Sequence, residues 1–213
     1  FLKFNNLDKS IKFMHSHNLD IILLQEVLVT ECLDQVALFK KCLGCAYHFY
    51  HPKLVVDNVK IGNLILSRYP LTLVYNDSTF QIVKIKMNDQ TKYPQEEIYL
   101  INVHLNCDLL CHKQKRKIGK IIEEIKNIKK QNENSKKQTR LLMAGDFNLV
   151  TWSENLKNLS TEIRLVPSNE YTFPSNYPLV KYDYVFQIGL DDNIKLEVPQ
   201  VTLSDHLPLL ISI

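Results

Sequence analysis

Short apolar runs, each of strand length and each ending in one or two polar side chains, recur along this chain. Asp20-Ile-Ile-Leu-Leu-Gln-Glu26 ends in Gln25 and Glu26, and Tyr99-Leu-Ile-Asn-Val-His104 ends in a histidine. Leu141-Leu-Met-Ala-Gly-Asp-Phe-Asn148 ends in Asp146 and Asn148, and Lys181-Tyr-Asp-Tyr-Val-Phe186 carries Asp183 near its start. Val201-Thr-Leu-Ser-Asp205-His206 precedes a last apolar strand, Leu209 to Ile213. Asp146 and Asn148 flank Phe147, so period-two alternation sends both polar groups to one face and the ring to the core. Such a pair at the mouth of a sheet is costly unless it binds something, and it suits a divalent cation, a phosphate or a water being activated. Gly145 leaves room for a ligand or another backbone to approach. Further strands are expected over Tyr47 to Tyr50, Gly62 to Ser67, Leu71 to Tyr75, Phe80 to Met87 and Ile98 to Leu105. The polar Asn88 to Glu97 reads as a loop, where Pro94 bars a central strand.

Helical spacing is clearest over Leu110 to Lys130, where Ile118, Ile121, Ile122, Ile125 and Ile128 form a stripe and lysines fill the other face. Asn6 or Asp8 is a candidate cap for a helix over about Leu7 to His17, with Leu7, Ile11 and Met14 on one face. A second helix is expected over about Thr30 to Cys42 with Cys32, Val36 and Phe39 inward, and a short helix or turn over Asn155 to Thr161. Pro167 to Pro178 is a loop rich in Ser, Asn, Pro and aromatics. No repeat or linker divides the chain, so one domain over 1–213 is expected. Strands outnumber helices, which suits an α/β sandwich of packed sheets with helices outside.

Composition changes little in this picture. Apolar residues make up 45% and charged residues 23%, ordinary for a globular protein, and a net charge of +3 does not argue for a polyanionic partner. Five cysteines cannot all pair, so reduced thiols and a cytoplasmic location are expected. Cys42-Leu-Gly-Cys45 has metal-ligand spacing, but Cys107 and Cys111 are three residues apart and no second Cys-x-x-Cys exists. No apolar stretch approaches the roughly 18 residues that span a membrane. Phe1 to Ser10 is too polar and mixed for a secretory signal.

Leu24-Gln25-Glu26-Val27, Gly62 to Arg68, Val103-His104-Leu105, Gly145-Asp146-Phe147-Asn148, Tyr182-Asp183-Tyr184 and Ser204-Asp205-His206 follow one another in order on strand ends. Together they resemble the endonuclease/exonuclease/phosphatase superfamily of metal-dependent phosphoesterases, from about Leu7 to Ile213. The resemblance implies a four-layer α/β sandwich of two mostly antiparallel sheets between outer helices, with the site at one sheet edge. It implies Mg²⁺, with Mn²⁺ as substitute, held by Glu26 and oriented through Gln25. Asp205 is a metal ligand directly, through water, or at a second position. His206 and Asp183 resemble the family's catalytic histidine and the acid that orients it. Asp146 is the implied activator of the attacking water or the proton donor to the leaving group. Asn148 would hold a phosphate oxygen or the water, and His104 stands where the family places a phosphate-contacting tyrosine or histidine. Asn63 is a further candidate pocket residue.

Two departures accompany the resemblance. The family's first strand carries an asparagine, and Asn5 lies only 21 residues before Glu26, so that strand is expected to be missing or its following loop short. An arginine three residues before Gln114 is replaced by Cys111.

Substrate is less legible. The lysine-rich run Lys113 to Lys137 reads as a solvated helix face, diluted by Glu123, Glu124 and Glu133. Trp152, Tyr171, Phe173 and Tyr177 fall near the site segments and suit stacking on unpaired bases, contact with a lipid or sugar, or simply sealing the sandwich edge. The expectation is therefore phosphodiester hydrolysis in nucleic acid by a monomer without a membrane segment. A lipid-headgroup or inositol phosphate substrate ranks second, because no exposed apolar hairpin is evident, and a silent binding domain third.

Overall fold

The computed structural model describes residues 4–87, 97–107, 112–191 and 193–213. Helix α1 (Phe4–Ser16) leads into β1 (Ile21–Val29), and α2 (Gln35–Leu43) follows. Next come β2 (Tyr47–Val56), β3 (Val59–Ser67), β4 (Leu71–Asn76), β5 (Phe80–Lys86) and β6 (Glu97–His104). Helix α3 (His112–Asn134) carries the chain to β7 (Leu141–Asp146), followed by α4 (Glu154–Ser160) and β8 (Arg164–Leu165). The chain ends with β9 (Asp183–Ile188), β10 (Lys195–Glu197) and β11 (Leu210–Ser212).

The strands form one sheet ordered β1-β3-β2, a second ordered β4-β5-β6-β7-β9-β8, and a pair β10-β11. All named pairs are antiparallel except β6 with β7. A parallel pair needs a long crossover, and α3 supplies it. Its isoleucines Ile118, Ile121, Ile125 and Ile128 bury their stripe against Ile101, Val103 and Met143 on the outer face of the larger sheet. Helices α1 and α2 cover the other sheet through Leu7, Met14, Phe39, Leu64 and Leu66. Ile65 meets Val83, Leu100 and Val185 between the sheets. Helix, sheet, sheet and helix thus form four layers, the α/β sandwich expected from the strand and helix pattern.

Several boundaries differ from expectation. Helix α2 begins at Gln35 because Asp34 caps it, its carboxylate accepting from Ala37 N at 2.9 Å. Cys32 lies before the helix and is exposed rather than inward. Asn5 falls within α1, not on a strand. Strands β8 and β10 are too short for a sequence pattern to announce. The loop expected from Asn88 with Pro94, the start of the long helix at Leu110, and Cys111 lie outside the described residues.

The largest difference is the β2–β3 hairpin. It continues well past Tyr50 and turns at Asp57-Asn58 between the paired Val56 and Val59. Leu54, Val55, Val56 and Val59 at its tip are exposed, so the chain does carry an apolar hairpin. The sequence hid it because Pro52, Lys53 and Lys60 interrupt the apolar run.

Candidate active site

Two bulges flank the same stretch of β3. On β1 the register with β3 shifts between Leu24 and Val27, and Glu26 takes a left-handed backbone at φ 56°. On β2 it shifts between Pro52 and Leu54, leaving Lys53 as the extra residue. Bulges re-aim side chains at sheet edges, and here Glu26 and Lys53 both line one cavity. Gly62 on β3 lies between them, and a Cβ there would stand 2.0 Å from His51 O, so only glycine lets the bulged β2 come so close.

Buried amides brace the β1 bulge from below. Gln25 Nε2 donates to Asn102 Oδ1 at 2.7 Å. Asn102 Nδ2 donates to Leu24 O at 3.1 Å and lies 3.3 Å from Gln81 Oε1. Gln81 in turn donates to Asn63 O at 3.2 Å. Asn63 is buried within this network and does not line the cavity.

The ends of β6 and β7 supply His104 and Asp146, paired across the parallel register. Gly145 sits at φ 144°, and a Cβ there would lie 2.0 Å from Val103 O. Beyond it Asn148 adopts φ 47°, a region asparagine tolerates, while Phe147 is fully buried as the alternation implied. Asp146 accepts from Asn148 N at 2.8 Å and from Asn148 Nδ2 at 2.9 Å, and Nδ2 also donates to Leu105 O at 2.8 Å. Both amide hydrogens of Asn148 are therefore engaged, and what it offers a ligand is the acceptor Oδ1. Gln114, at the start of α3, donates to Asn106 O and Asn148 O at 3.0 and 3.1 Å and ties the helix to this turn.

Asp183 opens β9 opposite Asp146, and its Oδ2 lies 2.8 Å from His206 Nδ1. The loop before β9 clamps the His206 segment: Ser175 N donates to Asp205 O, Leu207 N donates to Thr172 O, and the Phe173 ring lies 4.9 Å from the imidazole. Asp146 Oδ2 is 3.9 Å from His104 Nε2 and 4.0 Å from His206 Nε2, and Glu26 Oε1 is 3.8 Å from His104 Nε2. Asp205 is exposed on the cavity rim.

Electrostatics separate the two histidines. Burial alone would favour neutral His206, but the Asp183 bond and the charges of Asp183, Asp146 and Asp205 raise it to about 9. Burial, with the charges of Lys53, His206 and Lys117, lowers His104 to about 3. His104 is thus a neutral imidazole, so its approaches to Glu26 and Asp146 are not ion pairs. Among the described residues its buried Nδ1 has no hydrogen-bond partner. Burial, then the charge of Asp183, pushes the Asp146 carboxyl well above the usual carboxylate range. Burial and the charge of Lys117 pull Lys53 down to about 8 against the opposing charges of Glu26 and Asp146.

Among the described residues, Asp146, Asp183 and His206 form the group compact enough to hold a metal, with ligand atoms within 4.8 Å of one another. Glu26 and Asp205 line the same cavity as this group, and oxygen donors of that kind fit a hard divalent cation. Cys42, Cys45 and Cys107 form no such group.

The model of the Endonuclease/Exonuclease/phosphatase family matches residues 6–206. The chain belongs to this family. Its members are metal-dependent phosphoesterases, so this chain is a hydrolytic phosphoesterase. A search of curated proteins found no match. Among solved structures, a mannosyl-6-phosphatase from Bacteroides thetaiotaomicron superposes with a TM-score of 0.72 at 14% identity, over 98% of this chain and 90% of its own. The human Nocturnin catalytic domain gives 0.70 at 17% identity, over 98% and 86%. A beta toxin from Staphylococcus aureus gives 0.67 at 15% identity, over 98% and 92%. At such identities the likeness is one of fold, shared by proteins with different names and activities.

Sequence reasoning missed Lys53, Asn102 and Gln81. Lys53 follows no apolar run and belongs to no motif, and the other two look like ordinary polar positions of alternating strands. The Pro52-Lys53 break in an otherwise apolar hairpin was the available signal for the first.

Proposed function

We propose that this family member hydrolyses a phosphodiester with Mg²⁺, Mn²⁺ substituting. The supporting observation is the convergence of Glu26, His104, Asp146, Asn148, Asp183 and His206 around one cavity of about 1250 Å³. Glu26, with Asp205 on the cavity rim, would hold the cation beside the Asp146, Asp183 and His206 group rather than within it, and the bound charge would neutralise phosphate oxygens. Asp146, fixed by two bonds from Asn148, would take the proton of the attacking water, and Asn148 Oδ1 would orient that water. Protonated His206, held by Asp183, would stabilise the anionic phosphoryl group and is poised to give a proton to the leaving oxygen. Neutral His104 would donate a hydrogen bond to a phosphate oxygen.

Nucleic acid is the first substrate to test. Trp152 and Tyr177 are 73% and 71% exposed, and Tyr171 is exposed beside them in sequence terms, with Phe173 lining the cavity. Such rings suit unpaired bases. The exposed aliphatic tip Leu54, Val55, Val56 and Val59 favours a second reading, a phosphoester carried by a lipid. The deciding assay compares hydrolysis of a single-stranded oligonucleotide and of phospholipid vesicles, each with Mg²⁺, with EDTA, and with Glu26→Ala and His206→Ala. Metal-dependent cleavage of the oligonucleotide, lost in both variants, is expected. Cleavage of vesicle lipid alone would transfer the assignment to the second reading, and cleavage unaffected by both variants would refute the site.

A further inference from the structure

We infer that Lys53 is a catalytic residue whose ammonium holds a non-bridging oxygen of the phosphoryl group under attack. The inference rests on the phosphodiesterase reading above and names a group that the motifs do not contain.

Among the described residues that line the cavity, Lys53 is the one lysine or arginine. It is the unpaired residue of the β2 bulge, and the matching bulge on β1 delivers Glu26 to the same cavity. A regular strand would alternate Lys53 with Pro52 and Leu54 through the pleat, whereas the extra residue turns its side chain towards the end of β6. There Nζ donates to His104 O at 3.2 Å. Among the described residues its hydrogen-bond partner is this one neutral carbonyl, while Glu26 and Asp146 act on it through charge. Two of its three N–H donors are thus left for a ligand. The stem is half-buried, so the ammonium is held over the site rather than waving in solvent. Asp146, at the end of β7, and His206, in the loop before β11, line the same cavity as Lys53.

In the reaction, an oxygen of water bonds to phosphorus and the bond to the leaving oxygen breaks with its electron pair. The water's proton passes to Asp146, and the leaving oxygen receives one from protonated His206. Lys53 takes part in neither transfer. Its charge offsets the negative charge that gathers on the phosphoryl oxygens, which a neutral carbonyl partner leaves it free to do.

The test compares wild type, Lys53→Met and Lys53→Arg on bis(p-nitrophenyl) phosphate at saturating Mn²⁺. Mn²⁺ binding is followed by electron paramagnetic resonance, and inorganic phosphate serves as competitive inhibitor. Lys53→Met should lower kcat/KM by about 10²–10³-fold, weaken phosphate inhibition about tenfold, and leave Mn²⁺ affinity unchanged or tighter. Lys53→Arg should recover part of both losses. A Lys53→Met enzyme with kcat/KM within threefold of wild type and unaltered phosphate inhibition would overturn the inference. So would loss of Mn²⁺ binding and thermal stability in that variant, which marks a structural lysine. If wild type turned over nothing, the phosphodiesterase reading would fail by itself. Calorimetric titration of phosphate into the Mn²⁺-loaded proteins would then decide Lys53, with equal or absent binding in wild type and Lys53→Met sinking it.

Discussion

Three backbone positions at the site are held in the left-handed region, and each has its own physical reason. Glu26 is a bulge residue, Asn148 turns back on Asp146, and Gly145 lies against Val103 with no room for a side chain. Gly145→Ala should therefore cost on the order of 3 kcal/mol in urea unfolding, because the β6–β7 pair must open to admit a methyl group. A cost below about 0.5 kcal/mol would mean that the strands yield freely. Asp77, between β4 and β5, makes a separate prediction. Burial opposes its charge, but Thr79 N, Phe80 N, Lys120 and Tyr75 all bond to it and hold its carboxyl below the usual range. A carboxyl depressed in the folded state stabilises fully above its unfolded value of about 4 and loses that contribution as the pH falls towards the folded value. The stability gap between wild type and Asp77→Asn should thus be largest near pH 7 and shrink between pH 4 and pH 2. A gap independent of pH would show that only hydrogen bonds matter there.

Elements carry the site through their ends. Parallel pairing of β6 with β7 puts His104 beside Asp146, and antiparallel pairing of β7 with β9 puts Asp183 opposite. The isoleucine stripe of α3 was plain from its spacing, because a 3.6-residue period on a surface helix is preserved by packing. Ile121→Ala should cost about 2–5 kcal/mol in chemical denaturation, since the side chain is fully buried against the sheet. The bulges on β1 and β2 left no such period, because one extra residue breaks alternation without a dedicated residue type. Asn102 is their brace. Asn102→Leu removes the partners of Gln25 Nε2 and Leu24 O in a dry interior. It should destabilise by about 1–3 kcal/mol and weaken Mn²⁺ binding through Glu26. If stability fell and metal affinity did not, the network would support the fold alone.

At the scale of the whole molecule, a cluster of carboxylates at one end of a sandwich stores mutual repulsion that a cation relieves. Mn²⁺ at a hundred times its dissociation constant should raise stability by about 2.7 kcal/mol, seen as a higher Tm that EDTA reverses. Glu26→Ala should blunt this shift, and a Tm indifferent to Mn²⁺ would argue against a site preformed in the folded chain. The exposed hairpin tip and the exposed Trp152 and Tyr177 also belong to this scale. Sequence gave their composition, but exposure depends on what the neighbouring strands leave uncovered.

The order of polar strand ends, the α3 stripe and the inward Phe147 were determined by the sequence alone, because periodicity and strand termini are local properties. Membership of the family followed from six such ends in one order. The tertiary structure alone decided that Glu26, His104, Asp146, Asp183 and His206 meet around one cavity. It also decided that burial favours neutral His104 while the Asp183 bond favours charged His206, and that Lys53 joins them from a bulge. These depend on pairing register, burial and the distances between charges from strands remote in sequence, none of which a linear pattern encodes.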